Sequence, residues 1–208
     1  KLNTVSDKPE EALHEVDIVL LCLPGYAIKS ELLKIKPYVN ERTYVGTVFS
    51  STGFFFEALE ILDNDVPLWG FQRVPFIART NVYGKSAHLL GYKTSHNIAV
   101  EHCEDKERFR SQIEKLFDAP VHLLNNYYEA SFTNSNPILH PSRLYMLFKD
   151  WTPETYYDRQ EMFYEEWTDE ASELLIKLDL ELFRLLDKLP VAPDYLMPIL
   201  PYYESKDA

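Results

Sequence analysis

Asn136 and His140 stand four residues apart in Asn134-Ser-Asn-Pro-Ile-Leu-His-Pro141, and of all residues in the chain this pair is best suited to proton chemistry. On a helix, a spacing of four puts two side chains on one face, with Thr133 one turn before Asn136. Pro137 and Pro141 both fall in the same stretch. A proline inside a helix removes a backbone hydrogen bond and kinks the chain, whereas a helix starting at Pro141 leaves His140 beside its amino end. In either geometry, unpaired backbone N–H groups near the imidazole disfavour its charged form. A neutral imidazole can take up or release a proton near pH 7, as general acid–base catalysis requires. The same residues also suit a capping Asn and a structural His at a kink, and spacing alone leaves both readings open.

A second group of candidates follows two apolar runs. Asp17-Ile-Val-Leu-Leu-Cys-Leu-Pro24 reads as a strand buried on both faces and ended by Pro-Gly, with Cys22 a buried free thiol. Thr43 to Phe49 reads as another strand. Ligands of a doubly wound sheet sit outside the carboxyl ends of its strands. Leu23, Pro24 and Gly25 would line that crevice, as would Ser50, Ser51 and Thr52 ahead of Gly53. Two ordinary strand-to-helix turns would look the same. No Gly-x-Gly-x-x-Gly and no Walker-type loop occurs among the six glycines. These residues alone therefore do not build a complete dinucleotide site. Either a first βαβ unit precedes Lys1, or the protein does not bind a dinucleotide. The chain starts without Met on a helix that reads like the middle of a fold, which favours the first alternative.

Other polar residues carry less. Arg73 and Arg79 flank Val-Pro-Phe-Ile-Ala and suit either a substrate carboxylate or surface ion pairs. His14, His88, His96, His102 and His122 show no zinc spacing, so no metal site is expected. Glu165, Glu166, Asp169, Glu170 and Glu173 read as a solvated helix face, and Tyr156, Tyr157, Phe163, Tyr164 and Trp167 as packing aromatics.

The elements that position these residues change character along the chain. Ser6 or Asp7 can cap a helix with Pro9 in its first turn. Ile28, Leu32 and Ile35 mark a second helix, and Phe55, Leu59 and Leu62 a third. Helix, strand, helix, strand, helix over residues 1–62 implies parallel strands joined by helices. Leu68 to Phe76, Lys85 to Gly91 and Ser95 to His102 are short β-like segments expected to extend the sheet. Asp105 caps a helix with the stripe Phe109, Ile113, Leu116, and Asp118-Ala-Pro120 ends it. Beyond a short strand at Val121 to Leu124 the pattern is helical. The clearest helix is expected from about Gln160 to Lys188, with Phe163, Trp167, Ala171, Leu174, Leu178, Leu182 and Leu185 on one stripe.

Composition bounds the partners. A net charge of −12 over 208 residues argues against nucleic acid, which needs clustered Lys and Arg. Ile18 to Leu23 is the longest clean apolar run, well short of the roughly 18 residues of a membrane span. The first stretch is polar, unlike a secretory leader. Two widely separated cysteines suit a reducing cytoplasm.

Taken together, these segments resemble the NAD/NADP octopine/nopaline (opine) dehydrogenase family over nearly the whole chain. Asp17–Pro24 resembles that family's fourth Rossmann strand. Thr43–Gly53 resembles the fifth, with its loop near the nicotinamide. Arg73–Arg79 with Gly84 resembles the antiparallel extension, and Asn136-Pro-Ile-Leu-His-Pro141 the Asn-x-x-x-His active-site segment. The resemblance implies an α/β fold: a partial Rossmann-type doubly wound sheet lacking its first βαβ unit, over residues 1–120, then an all-α substrate domain over 121–208. It implies NAD or NADP as cofactor, and an amino acid and a 2-keto acid as substrates. It makes His140 the proton donor and acceptor, with Asn136 beside the substrate or nicotinamide. The family's acidic partner of the His is matched by no residue of this chain. A homodimer is compatible with this reading. The alternatives are a ketopantoate-reductase-like or 2-hydroxy-acid dehydrogenase, or a non-catalytic binding module on a dehydrogenase scaffold.

Overall fold

The computed structural model describes residues 4–192 and 194–203. The chain divides into two compact units, Lys1–Phe132 and Thr133–Ala208.

The first unit opens with the short helix α1 (Pro9–Ala12). Its cap is Lys8, whose N–H is received by the Ser6 hydroxyl at 3.1 Å, so neither expected residue is itself the cap. Then follow β1 (Ile18–Leu21), α2 (Gly25–Ile35), β2 (Tyr44–Thr47), α3 (Phe54–Ile61) and β3 (Leu68–Phe71). β1, β2 and β3 run parallel, in that order, as the alternation requires. The next pair, β4 (Phe76–Val82) and β5 (Ser86–Tyr92), does not extend the sheet. It forms a separate antiparallel hairpin that is exposed along nearly its whole length. β6 (His96–Glu101) returns to the sheet antiparallel to β3. α4 (Lys106–Phe117) leads to β7 (Val121–Leu123), which pairs parallel with β6, and α5 (Tyr127–Ser131) completes the unit. The division thus falls after Phe132 rather than at residue 120, because the ladder of β6 holds β7 in the sheet.

Each face of the sheet carries its own core. Ile28, Leu32, Phe54, Phe55, Ala58 and Ile61 cover one, with Val45, Leu68 and Ala99 from the strands. Trp69, Phe71, Ile98, Val100, Phe109 and Ile113 cover the other. On α3 the expected Phe55 is buried, as is Leu62 at its C-cap, and Leu59 packs against the core, whereas on α4 Leu116 is exposed and Phe117 packs on the core in its place. Gly46 is required by packing, since a Cβ there would lie 2.3 Å from the Trp69 indole nitrogen. Asp105 caps α4 as expected, accepting from the Arg108 N–H at 2.9 Å. β1 stops at Leu21, so Cys22 falls beyond the strand and is exposed rather than buried.

The second unit consists of α6 (Asn136–Phe148), α7 (Asp169–Leu186) and α8 (Ile199–Tyr202), with α6 and α7 packed together. The long helix starts nine residues later than its periodicity suggests. Thr168 caps it, accepting from the Ala171 N–H at 3.3 Å. The preceding segment is held in turns instead: Arg159 and the Met162 N–H both donate to the Glu166 carboxylate. Glu165 and Glu166 therefore precede the helix. On α7 Leu186 is buried and Leu185 exposed, and the stripe includes a buried carboxylate, Asp179.

Candidate active site

At the carboxyl end of the parallel strands, the loop after β1 and the loop after β2 meet. A Cβ on Gly25 would sit 3.0 Å from the Thr52 carbonyl oxygen, so only glycine allows this approach without displacement. Pro24 caps α2 through its backbone alone, with no side chain covering the first N–H groups of this 11-residue helix. Leu23 is half-buried against the core, while Pro24 and Gly25 are exposed.

The second loop is a 3₁₀ turn over Ser50–Thr52, closed by Gly53 at φ 85°. All three hydroxyls donate to the chain's own backbone at 2.8 Å: Ser50 to the Phe71 carbonyl, Ser51 to that of Ser131, Thr52 to that of Phe49. Ser50 is fully buried, and a Cβ on Gly70 would lie 2.6 Å from its oxygen. Its place is therefore structural. What the loop turns outward is backbone, with open space beside Gly53.

One strand further along, Gln72 was not singled out by the sequence, yet it ties this edge together. Its amide donates to the Glu129 carbonyl at 2.9 Å and accepts from Asn97 at 3.0 Å. His96 begins β6, and its burial beside Phe71 and Phe117 lowers its pKa. It is a core ring, packed edge-on against both aromatics. Arg79 lies exposed on the β4–β5 hairpin, donating to the carbonyl of Ala78.

In the second unit, Asn136 and His140 lie on one helix. α6 runs unbroken through Pro141, with Pro137 in its first turn, so no new helix begins at Pro141. The Ser142 hydroxyl, fully buried, donates to the Leu139 carbonyl at 2.8 Å and fixes the backbone beside His140. Asn136 is exposed and His140 half-buried. The imidazole Nε2 is 3.2 Å from the Tyr164 hydroxyl, and its ring meets Phe163 edge-on at 5.3 Å. Arg143, only 1% exposed, lies one turn on. Its guanidinium donates to the Phe163 carbonyl at 3.3 Å and to Glu161 at 3.1 Å. Phe163 also walls a cavity of about 420 Å³ with Leu144, Leu147, Phe148 and Tyr157. Of the expected aromatic cluster, Phe163 contacts Tyr164 and Trp167, and Tyr157 meets Phe148, while Tyr156 is exposed. No group of three or more His, Cys, Asp or Glu among the described residues gathers as a metal-ligand set.

Residues 123–207 match the family described as NAD/NADP octopine/nopaline dehydrogenase, alpha-helical domain. The opine dehydrogenase of Haliotis discus hannai is 23% identical over 181 residues, 84% of this chain and 44% of its own. Octopine dehydrogenase, solved with NADH and L-arginine, superposes with a TM-score of 0.78 at 19% identity, over 98% of this chain and 53% of that one. A ketopantoate reductase from Ralstonia eutropha JMP134 gives a TM-score of 0.62 at 15% identity, over 95% of this chain and 59% of its own. The chain is thus similar to opine dehydrogenases, and it spans about half the length of the curated relatives it matches.

Proposed function

We propose that the protein is an NAD(P)-dependent oxidoreductase that reductively condenses an amino acid with a 2-keto acid. The observation that carries this reading is the pairing of Asn136 and His140 on α6, inside the segment that matches the family. Residues 1–132 form part of the cofactor-binding domain in this reading, and the helical unit takes the substrates. Leu23, Pro24, Gly25, Ser51 and Thr52 would hold the nicotinamide half of the cofactor. The residues present fit that portion: two loops in contact, an uncapped helix start and a glycine that leaves the backbone uncovered. When bound, the reduced nicotinamide supplies the hydride. His140 supplies or receives the accompanying proton, and Asn136 on the same face of the helix orients the polar groups of the substrate.

The likeness to ketopantoate reductase supports a second reading, in which a keto acid is reduced without an amine. It is less favoured, because the superposition is weaker and the helical unit matches the opine family. Oxidation of NADH or NADPH by the intact protein, with a 2-keto acid alone and then with amino acids added, separates the two. Turnover that requires the amine supports the first reading; equal turnover without it supports the second. His140→Gln should lower turnover about 100- to 10,000-fold with cofactor affinity nearly unchanged. Full activity in that variant would remove His140 from the chemistry.

We place the protein in the cytoplasm, supported by two unpaired cysteines and by the absence, among the described residues, of any helix long and apolar enough to cross a membrane. The exposed apolar side chains of the β4–β5 hairpin, Ile77, Leu89 and Tyr92 among them, support a homodimer.

A further inference from the structure

We infer that Tyr164 is a positioning residue for His140, and that Arg143 holds it there. This rests on the proposed role of His140 but concerns a contact that no spacing in the sequence announces. Tyr164 is 24 positions from His140 and lies in a segment without regular secondary structure. Its ring is largely exposed, so no apolar burial of its own fixes it. What fixes it is its neighbourhood. Arg143, on the same helix as His140, reaches back to the carbonyl of Phe163 and to Glu161. Phe163 packs edge-on against both the His140 and Tyr164 rings. The Arg159–Glu166 pair, with the Met162 N–H, closes the turn around them. The hydroxyl is thus delivered to Nε2 by a backbone that α6 itself holds.

The consequence for the imidazole is specific. The phenol is a stronger acid than a neutral imidazole N–H, so the hydroxyl donates and Nε2 accepts. The hydrogen bond at one ring nitrogen then settles where the proton sits: it resides on Nδ1, and the ring is held against rotation. Tyr164 therefore selects one tautomer and one ring orientation, with the proton on Nδ1 and the basic lone pair of Nε2 held against the phenol.

The test uses two readouts. Nitrogen chemical shifts of the His140 ring, measured with the ring neutral, should show the Nδ1–H form dominant in the parent chain and a mixed population in Tyr164→Phe. Equal tautomer populations in both would overturn the proposal. In the intact protein, Tyr164→Phe should lower kcat roughly 10- to 100-fold with KM for the cofactor unchanged, the scale of a misaligned group. Parent-like kcat in Tyr164→Phe beside a strongly impaired His140→Gln would also overturn it. The ring shifts do not depend on turnover, so they judge the positioning even where His140→Gln remains active, a result that would instead remove the catalytic reading. Arg143→Lys keeps the charge but loses the fork that spans Phe163 and Glu161. It should shift the tautomer population in the same direction as Tyr164→Phe, and an unshifted population would sink the role given to Arg143.

Discussion

Trp69, Phe71, Phe109 and Ile113 on one face of the sheet, and Phe54, Phe55, Ile28 and Leu32 on the other, hold the first unit by apolar packing, and its candidate loops rest on that core. The second unit is built differently. Its buried apolar side chains among the described residues are Ala171, Leu186, Leu196 and Ile199, and beside them lie buried Asn134, Ser142, Arg143, Ser172 and Asp179. The Asp179 carboxylate accepts from the Asn134 amide and from the Ile199 N–H, both at 2.9 Å, and Asn134 also donates to the Met197 carbonyl at 2.7 Å. Packing tolerates small shifts and fixes a shape; buried hydrogen bonds fix direction and are costly to break. The loops of the first unit need to present backbone on a stable surface. In the proposed reaction His140 needs an orientation, and the polar unit would provide it.

The largest effect should come from cutting the polar lock. Asp179→Ala leaves two buried donors without an acceptor, at about 2 kcal/mol each, so the helical unit should lose about 4 kcal/mol. Differential scanning calorimetry should show one transition moving down while that of the sheet unit stays. Asp179→Asn keeps an acceptor and should recover part of the loss. An unchanged helical transition in Asp179→Ala would mean the second unit is held by packing after all.

In the first unit the equivalent experiment is steric. Gly46→Ala forces a methyl into the Trp69 indole, and overpacking of this kind costs about 2 kcal/mol. Trp69→Phe makes room and should restore much of it in the double variant, because the two residues are in direct contact. Additive losses would show that the clash is relieved by backbone movement instead.

These differences also decide what could be read from the sequence. β1, β2 and α2 were legible because a continuous apolar run and a three-to-four spacing report burial directly. The shared helix of Asn136 and His140 was one of two geometries that the spacing and the prolines left open. The later start of α7 was not: Phe163 and Trp167 continue its period, but Thr168 caps the helix and Glu166 serves a turn. Arg143, Asp179 and Gln72 carry no signal in the sequence, because the partners they bond come from distant parts of the chain. The β4–β5 hairpin has strand composition, yet composition does not say which sheet a strand joins.

The smallest effect distinguishes the units by pH. Arg159 donates twice to Glu166, at 2.5 and 2.8 Å, and the Met162 N–H donates at 2.6 Å. These contacts, the Arg159 side chain foremost, hold the Glu166 carboxyl down at about 2 from its ordinary 4.5. A carboxyl depressed in the folded state stabilises the fold above its unfolded value, and that contribution is lost as the pH falls through the folded value. Between pH 4.5 and 2 the 159–166 turn should therefore loosen, carrying Tyr164 away from His140. The group is solvent-facing, so salt should weaken the effect and the melting temperature should barely register it. The Met162 amide and Tyr164 ring resonances, followed by NMR on acidification, are the sensitive probes. Ser51 and Thr52 hold their loop through hydroxyls that do not titrate in this range, so their resonances should stay in place. Glu166→Gln should show the loosened turn at every pH. If its Met162 amide and Tyr164 ring instead match the parent at neutral pH, the turn is held by something other than this carboxylate.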